Sequence, residues 1–221
     1  MGDDIAGLLA GSELFAGLDA EALAALAAAS ASRSFVRNDV VFAEGAPAAE
    51  LYVIRAGRVA MAKRSTGGRE SVVAVLGPGE VFGEMSLFDG EGRSTEARAL
   101  DPADMVVVPY PAARGALVAN PANLWAVAVL LARRLRATDE ALADNVFLDV
   151  PARTAKRLLE LAGDGDFSPA LTQEELAAMV GASRERVNKA IGLFVRLGWV
   201  EQSGRRYRVV DRERLASCAA E

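Results

Sequence analysis

The chain of 221 residues contains no histidine, and its one cysteine, Cys218, lies near the C-terminus. These shortages exclude a disulfide framework, an iron–sulfur cluster held by several thiolates, a histidine-ligated haem and the commonest zinc sites. They also exclude every catalytic device that uses histidine as its base. We therefore expect a protein that is not an enzyme and that holds no metal, haem or iron–sulfur cluster, with chemistry by carboxylates alone as the open alternative.

Long apolar segments are missing as well. No run approaches the roughly 20 residues that a membrane-spanning helix needs, and the first four residues, Met-Gly-Asp-Asp, lack the basic start of a secretory signal. The composition, 52% hydrophobic and 25% charged, is typical of a soluble globular protein. We expect a cytoplasmic protein that binds no membrane.

Basic residues are in the minority, since the net charge is −5, but they are unevenly placed. Residues 1–150 carry 13 Lys and Arg against 20 Asp and Glu, whereas residues 151–221 carry 12 against 10. Between Arg184 and Arg208 there are seven basic residues and two acids. A local basic surface can bind nucleic-acid phosphates even in an acidic protein. On charge alone, a solvated helix face is an equal alternative.

Helical structure is predicted for the first 30 residues, where Asp19 can cap a run of Ala and Leu. From about residue 32 to 111, short apolar runs alternate with turns rich in Gly and Pro, a pattern typical of an antiparallel β-barrel or jelly roll. The apolar runs are residues 40–42, 51–54, 59–61, 72–76 and 105–108. The first predicted domain is residues 1–118.

Between residues 119 and 148, apolar side chains recur at spacings of four and three, as in the seam of a coiled coil. The seam positions are Leu124, Ala128, Leu131, Leu135 and Leu142, with Thr138 in the gap. The stretch predicts a long helix that pairs two copies of the chain, and a helix packed only on its own domain is the alternative. A polar threonine in such a seam costs stability unless something uses it.

Asp149 and Pro151 then end the pattern, because Asp caps a helix and Pro suits its first turn. Residues 149–221 are predicted to form helices near 152–162, 172–180 and 183–197, followed by a hairpin that turns at residues 203–204. These elements make a winged helix-turn-helix. The predicted fold class is α+β: an antiparallel barrel or jelly roll, a dimerisation helix and a winged helix-turn-helix.

A DNA-reading unit is indicated at residues 171–194. Thr172 and Glu175 have the spacing of a capping box, Gly181 suits a tight turn, and Ser183 can cap the second helix. The apolar residues of that helix recur at helical spacing and are predicted to face inward. The side chains predicted to be exposed near its start are Arg184, Glu185, Asn188 and Lys189.

The start of such a helix enters the major groove, where Arg binds guanine and a carboxylate accepts from cytosine. Further basic and polar side chains fit phosphates, which fix the register without reading sequence. The predicted partner is double-stranded DNA, and a plain helical hairpin with a charged face is the alternative. The predicted DNA-binding residues are Thr172, Ser183, Arg184, Glu185, Arg186, Asn188, Lys189, Arg196, Arg205, Arg206 and Arg208.

A polar, glycine-rich stretch interrupts the predicted strands at residues 79–95. Residues 83–87 are predicted to form a short helical turn whose free amides can cradle an anion. Arg93 offers a bidentate partner for a phosphate and Ser94 a hydroxyl, while Glu84 can accept a hydrogen bond from a ribose hydroxyl. From these residues alone, a surface loop that holds a Glu–Arg ion pair is the favoured interpretation.

Residues 82–95 resemble the phosphate-binding cassette of cyclic-nucleotide-binding domains, in which Phe-Gly-Glu precedes Arg and then Ser or Thr; we call them the cassette. The whole chain resembles the Crp/Fnr family of bacterial regulators, most closely the cyclic-AMP-receptor-like regulators of actinobacteria. The resemblance continues through Leu-Ala-Arg-Arg-Leu-Arg-Ala-Thr at 131–138, Phe-Leu-Asp-Val-Pro-Ala-Arg at 147–153 and the reading unit. It implies a homodimeric transcription regulator that binds a palindromic operator and RNA polymerase.

The resemblance also implies the ligand site. Backbone amides near Gly83, with Arg93 and Ser94, would hold the phosphate, and Glu84, supported by Arg134, the ribose hydroxyl. Thr138 and the partner subunit's Asp139 would approach the base. Ligand binding where the barrel meets the dimer helix would reposition the two recognition helices. The implied ligand-binding residues are Phe82, Gly83, Glu84, Met85, Ser86, Arg93, Ser94, Thr95, Arg134, Thr138 and Asp139.

Asp139 departs from the family, which commonly has Ser or Asn at this position. An aspartate can accept from the amino group of adenine, and equally from N1–H and N2–H of guanine. Cyclic AMP is the effector that the resemblance implies. Cyclic GMP, and DNA binding with weak dependence on a ligand, are the open alternatives.

Overall fold

The structure is a computed structural model that describes residues 4–67, 70–163, 165 and 171–220. The chain divides into two compact units, residues 1–63 with 73–135 and residues 64–72 with 136–221. The division falls inside the long helix. The domain limits drawn from the sequence, at residues 118 and 148, follow the elements and stay a prediction.

Two short helices begin the first unit, α1 (Ile5–Ala10) and α2 (Ala20–Ala28). Each begins after an aspartate whose carboxylate accepts from a backbone N–H three residues later, Asp4 from Gly7 and Asp19 from Ala22, both at 2.8 Å. Such caps satisfy N–H groups that the first helical turn leaves without a partner. The predicted cap at Asp19 is confirmed.

Eight strands follow in the described part of the first 110 residues: β1 (Ala31–Phe35), β2 (Val40–Phe42), β3 (Glu50–Ala56), β4 (Val59–Arg64), β5 (Glu70–Leu76), β6 (Val81–Phe82), β7 (Glu96–Ala99) and β8 (Ala103–Pro109). They form two four-stranded sheets with the orders β1-β8-β3-β6 and β2-β7-β4-β5. Strands β1, β3 and β6 pair antiparallel with their neighbours, as do β2 and β4 with β7. The sheets do not close into one barrel. Of the two predicted alternatives, a barrel or a jelly roll, the jelly roll describes them.

Strand β3 explains the continuous apolar runs of the sequence. Tyr52 and Ile54 pack between the two sheets, in a cluster that includes Val59 of β4. Leu51 and Val53 face the other way and pack in a cluster with residues of α1 and α2. Alternate side chains of a strand point to opposite faces. A strand buried on both faces therefore needs apolar residues at every position.

Three helices complete this part of the chain: α3 (Met85–Asp89), α4 (Tyr110–Val118) and α5 (Pro121–Phe147). The 27-residue α5 confirms the predicted long helix. Near its start, Asn123, Val127 and Leu130 form a buried face that packs within the first unit. The seam is a second, exposed face, where Leu135 is 62% and Leu142 64% exposed.

The lengths and compositions of the described helices bear on whether any of them could span a membrane. No single one is long and apolar enough to cross a bilayer, and α4 and α5 meet the requirement only together, across a bend of 115°.

The second unit contains α6 (Val150–Ala162), α7 (Gln173–Val180), α8 (Arg184–Arg196), β9 (Val200–Ser203), β10 (Arg206–Val209) and α9 (Arg212–Ala219). One apolar cluster joins these elements and includes Leu158, Leu176, Phe194 and Tyr207. Strands β9 and β10 pair antiparallel as a hairpin. The predicted winged helix-turn-helix is confirmed, and α9 is an additional helix that the sequence pattern did not predict.

Candidate functional site

The cassette connects β6 to β7 and is built around α3. Gly83 has φ +78°, in the left-handed region, and a Cβ there would lie 2.5 Å from Nη1 of Arg93. Only glycine fits this position without strain or displacement of Arg93. Because a left-handed residue cannot continue a right-handed helix, α3 begins at Met85, two residues later than the predicted helical turn.

Glu84 is fully buried at the start of α3. Its Oε1 accepts a hydrogen bond from Nη1 of Arg134, whose Nη2 donates to the carbonyl of Val81. The second carboxylate oxygen, Oε2, is buried and has no hydrogen-bond partner among the described residues. A buried carboxylate oxygen without a donor is costly, so Oε2 is an acceptor that a ligand hydroxyl would satisfy.

Arg93 is also buried, with 4% of its surface exposed. Its Nη1 donates to the carbonyl of Gly83 at 2.8 Å and to the hydroxyl of Tyr110 at 3.0 Å, and its Nη2 donates to the carbonyl of Glu50 at 2.7 Å. The guanidinium carbon lies 4.1 Å from the centre of the Phe42 ring. Within the described residues, Nε is buried without an acceptor.

The cassette is therefore not the surface loop favoured from its residues alone. That interpretation was wrong because Glu84 and Arg93 are both buried, and because Glu84 pairs with Arg134 of α5, 50 residues away along the chain. What the cassette offers chemically is a buried acceptor and a buried donor, which fit a ligand that carries both a hydroxyl and an anion.

The remaining cassette side chains lie around this pair. Ser86 is mostly buried and donates to the carbonyl of Gly92 at 3.3 Å, while the hydroxyl of Ser94 lies 3.6 Å from Sδ of Met85. Thr95 is also buried. Phe82 is 1% exposed and stacks on Tyr52 in the core, with ring centres 5.0 Å apart. Ligand contacts by these side chains stay predictions.

Thr138 and Asp139 are exposed on α5. On a helix with 3.6 residues per turn, Thr138 is rotated about 40° from Arg134, toward the seam. Thr138 thus lies at the border between the buried face of α5 and the seam. The base contacts of Thr138 and Asp139 stay predictions.

The reading unit has the predicted local structure. Oγ1 of Thr172 accepts from the N–H of Glu175 at 3.1 Å, and the Glu175 carboxylate accepts from the N–H of Thr172 at 2.6 Å, which confirms the capping box. Gly181 ends α7 in the left-handed conformation, with φ +69°. Ser183 caps α8 by accepting from the N–H of Arg186 at 3.4 Å.

The start of α8 exposes most of the residues predicted to read DNA. These are Arg184, Glu185, Arg186 and Lys189. The prediction that Asn188 is exposed was wrong: it is half-buried, and its Oδ1 has no partner among the described residues. Its Nδ2 donates to Oε1 of Gln173 at 2.9 Å, because Gln173 at the start of α7 reaches across to α8. A role for Asn188 in DNA binding stays a prediction.

Gln173 is a residue that the sequence did not identify. Its Oε1 also accepts from Nε of Arg184 at 3.2 Å, so one carboxamide contacts two residues of α8. No spacing in the sequence signals this contact, since it joins two helices whose crossing is set by the core.

Basic side chains of the β9–β10 hairpin, which we call the wing, lie beside α8. Arg205 and Arg206 are exposed at the hairpin turn, and Arg208 pairs with Glu201 at 3.3 Å. Arg184 and Arg205 line one groove, together with Gln173 and Gln202. The structure therefore brings the start of α8 and the wing together, and leaves Arg196 exposed at the end of α8. In the described ranges, no three acidic or cysteine side chains cluster as a metal site.

The region that contains the cassette and the region that contains the reading unit each match a known protein family. Residues 32–120 match the cyclic nucleotide-binding domain family, and residues 152–218 match the Crp-like helix-turn-helix domain family. The chain is 40% identical over 217 residues to the CRP-like cAMP-activated global transcriptional regulator of Mycobacterium tuberculosis (strain ATCC 25618 / H37Rv), covering 95% of this chain and 97% of that protein.

Solved structures of transcription regulators are also similar to this chain. One is the c-di-GMP responsive global regulator CLP of Xanthomonas campestris, with TM-score 0.75, 27% identity, and coverage of 86% of this chain and 99% of that one. Another is a CRP/FNR-family regulator from Thermus thermophilus, with TM-score 0.71, 28% identity, and coverage of 86% and 99%.

A nucleotide-sensing domain followed by a winged helix-turn-helix defines a ligand-responsive, DNA-binding regulator. The chain belongs to the Crp/Fnr family of transcription regulators, whose members are not enzymes.

Proposed function

We propose that this regulator binds cyclic AMP in its cassette and acts as a homodimer on a palindromic DNA site, with RNA polymerase as a further partner. The observation that carries the sensor part is the pair of buried, unpartnered atoms, Oε2 of Glu84 and Nε of Arg93. A cyclic nucleotide supplies what each atom lacks, a ribose 2′-hydroxyl as donor and an anionic phosphate as acceptor.

Cyclic AMP is the first candidate because the M. tuberculosis relative, at 40% identity, is described as cAMP-activated. The CLP structure is described as c-di-GMP responsive, so this fold does not by itself dictate one nucleotide. Cyclic GMP is the second candidate, because the Asp139 carboxylate can accept from both N–H donors of guanine. In this proposal Thr138 and the partner subunit's Asp139 contact the base, while Ser94 supports the phosphate.

In the DNA-binding part, Arg184, Glu185 and Lys189 read base edges. Their exposed positions at the start of α8 fit the geometry by which a recognition helix enters the major groove. The neighbouring basic and polar side chains bind phosphates, which sets register. That second group consists of Thr172, Arg186, Arg196, Arg205, Arg206 and Arg208.

Dimer formation is assigned to the seam of α5. Leu124, Leu131, Leu135 and Leu142 are 38–64% exposed, although they recur at coiled-coil spacing. The buried face of α5 already packs within its own unit, so the seam is a second apolar face that needs a partner. A nucleotide with higher affinity for one arrangement of the dimer would shift the population toward it, and with it the spacing of the two recognition helices.

Calorimetry with cyclic AMP, cyclic GMP and c-di-GMP on the full chain tests the sensor, and we expect cyclic AMP to bind most tightly. Gel shifts on two-fold symmetric sites selected from randomised DNA, with and without cyclic AMP, test the reading unit. We expect binding that cyclic AMP strengthens. Failure of both cyclic mononucleotides to bind would overturn the sensor proposal, and the absence of any shift at low salt would overturn the DNA part.

A further inference from the structure

Tyr110 begins α4, outside the cassette, yet its hydroxyl lies inside the hydrogen-bond network of Arg93. The hydroxyl donates to the carbonyl of Gly83 and accepts from Nη1 of Arg93. No local pattern in the sequence marks Tyr110, since it lies 17 residues after Arg93 on another element.

The network leaves the Nε donor of the guanidinium without an acceptor among the described residues. A guanidinium holds five N–H donors in one plane. Nη1 donates to the Gly83 carbonyl and to the Tyr110 hydroxyl, and Nη2 donates to the Glu50 carbonyl. The donor of Nε is unused among the described residues. Nε–H and one Nη2–H form the parallel pair that grips two oxygens of a phosphate.

We propose that Tyr110 is a positioning residue for phosphate binding: with the Gly83 carbonyl it occupies Nη1 and so presents the Nε–Nη2 edge of Arg93 to the ligand. This inference rests on the proposed function. The Phe42 ring, 4.1 Å from the guanidinium carbon, restrains the plane from one face. Tyr110 then fixes the rotation of the group within that plane.

The chemistry of the hydroxyl agrees with this role. Burial raises the pKa of Tyr110, against the opposing effect of the Arg93 charge, so the phenol keeps its proton at neutral pH. It can therefore donate to the Gly83 carbonyl and accept from Arg93 at the same time, which a phenolate could not do.

Tyr110→Phe tests the inference, because it removes the hydroxyl and keeps the ring. We expect the affinity for cyclic AMP, measured by calorimetry, to fall by about tenfold, since a hydrogen bond to a charged group is lost. Tyr52→Phe is the matched control. Tyr52 is also buried near the cassette, but its hydroxyl donates to the Glu50 carboxylate, at 2.6 Å. We expect Tyr52→Phe to change the affinity by less than twofold.

The two phosphorothioate diastereomers of cyclic AMP separate positioning from general damage. In each one, sulfur replaces a different exocyclic oxygen of the phosphate, so a fixed guanidinium edge distinguishes them. We expect Tyr110→Phe to bring the two affinities closer together. An equal loss for cyclic AMP and both analogues, with their ratio unchanged, would show a merely structural role and overturn the inference.

A second variant reaches Nη1 from the other side. Gly83→Ala places a Cβ 2.5 Å from it, whereas Gly90→Ala, at a similar φ of +75°, meets nothing within 4 Å. We expect Gly83→Ala to reduce the difference in affinity between the two phosphorothioate diastereomers, as Tyr110→Phe does, and Gly90→Ala to leave that difference unchanged. If the wild-type chain binds no cyclic nucleotide, the proposed function fails. If it binds and both Tyr110→Phe and Gly83→Ala keep full affinity and discrimination, only the inference on Tyr110 fails.

Discussion

Gln173 and Asn188 are joined across two helices by a hydrogen bond of 2.9 Å, in which Nδ2 of Asn188 donates to Oε1 of Gln173. The same oxygen accepts from Nε of Arg184 at 3.2 Å. The carboxamide of Gln173 in α7 thus restrains Arg184, the residue that we propose reads a base. Restraint before binding lowers the entropy that the arginine loses on contact with DNA.

We expect Gln173→Ala to weaken binding to the selected DNA site by about fivefold, since the hydrogen bond that restrains Arg184 contributes about 1 kcal/mol. Binding to unrelated DNA should change little, because it depends on phosphate contacts. Competition gel shifts with selected and random duplexes measure the ratio.

Glu174→Ala is the control for Gln173→Ala. Glu174 is the next residue of α7, and its exposed carboxylate lies 3.9 Å from Arg184, so its contribution should be small. A uniform loss on all DNA for Gln173→Ala, or an equal loss of specificity for both variants, would refute the restraint of Arg184.

The elements of the reading unit could be predicted from the sequence because their signals are local. The caps and the turn of this unit use partners no more than four residues away along the chain. They are made by Thr172, Glu175, Gly181 and Ser183, each in its predicted role. The contact of Gln173 with α8 depends on how two helices cross, which no local spacing encodes. For this reason the burial of Asn188 was missed.

In the cassette, too, the local features could be predicted from the sequence and the contacts with distant elements could not. Its glycines and its Arg93 stand out in the sequence, but the partners of Glu84 and Arg93 come from α5 and α4. Strand β1, with the sequence Ala-Ser-Arg-Ser-Phe, was also missed: four of its five residues are exposed, and its pairing with β8 makes it a strand. Edge strands of this kind carry little apolar pattern.

The pair of Glu84 and Arg134 can be tested by a double-mutant cycle. Arg134→Met leaves the buried Glu84 carboxylate without its donor, and we expect the free energy of unfolding to fall by up to about 3 kcal/mol, since Arg134 is itself one-third exposed. Glu84→Gln in the same chain should restore much of the loss, because no buried charge is then left unpaired. Urea unfolding of the four proteins measures the coupling, and additive effects would contradict the pair.

Alkaline pH should destabilise the fold through its buried phenols. Burial raises the pKa of Tyr52 far above its ordinary value of 10, and the hydrogen bond to Glu50 adds to the shift. As the pH rises, the Tyr52 phenol therefore loses its proton in the unfolded chain before it does so in the folded chain. The contribution of the protonated phenol to the free energy of unfolding is complete below about pH 10 and is lost as the pH rises further. We expect the urea midpoint to fall between pH 9 and pH 11, and to fall less for Tyr52→Phe. Equal slopes for the two proteins would contradict this account.

The seam of α5 makes a prediction about assembly. Leu135 is 62% exposed, so Leu135→Glu should leave the single chain folded. In a dimer the new carboxylate would be buried beside its symmetry mate without a partner, which costs several kcal/mol. We expect a dimer for the wild type and a monomer for Leu135→Glu at micromolar concentration in sedimentation equilibrium, with weakened binding to a two-fold symmetric DNA site. Val118→Glu, at a residue of α4 that is 59% exposed, introduces the same charge outside the seam and should stay dimeric. A Leu135→Glu protein that remains a dimer would show that the two copies associate through another surface.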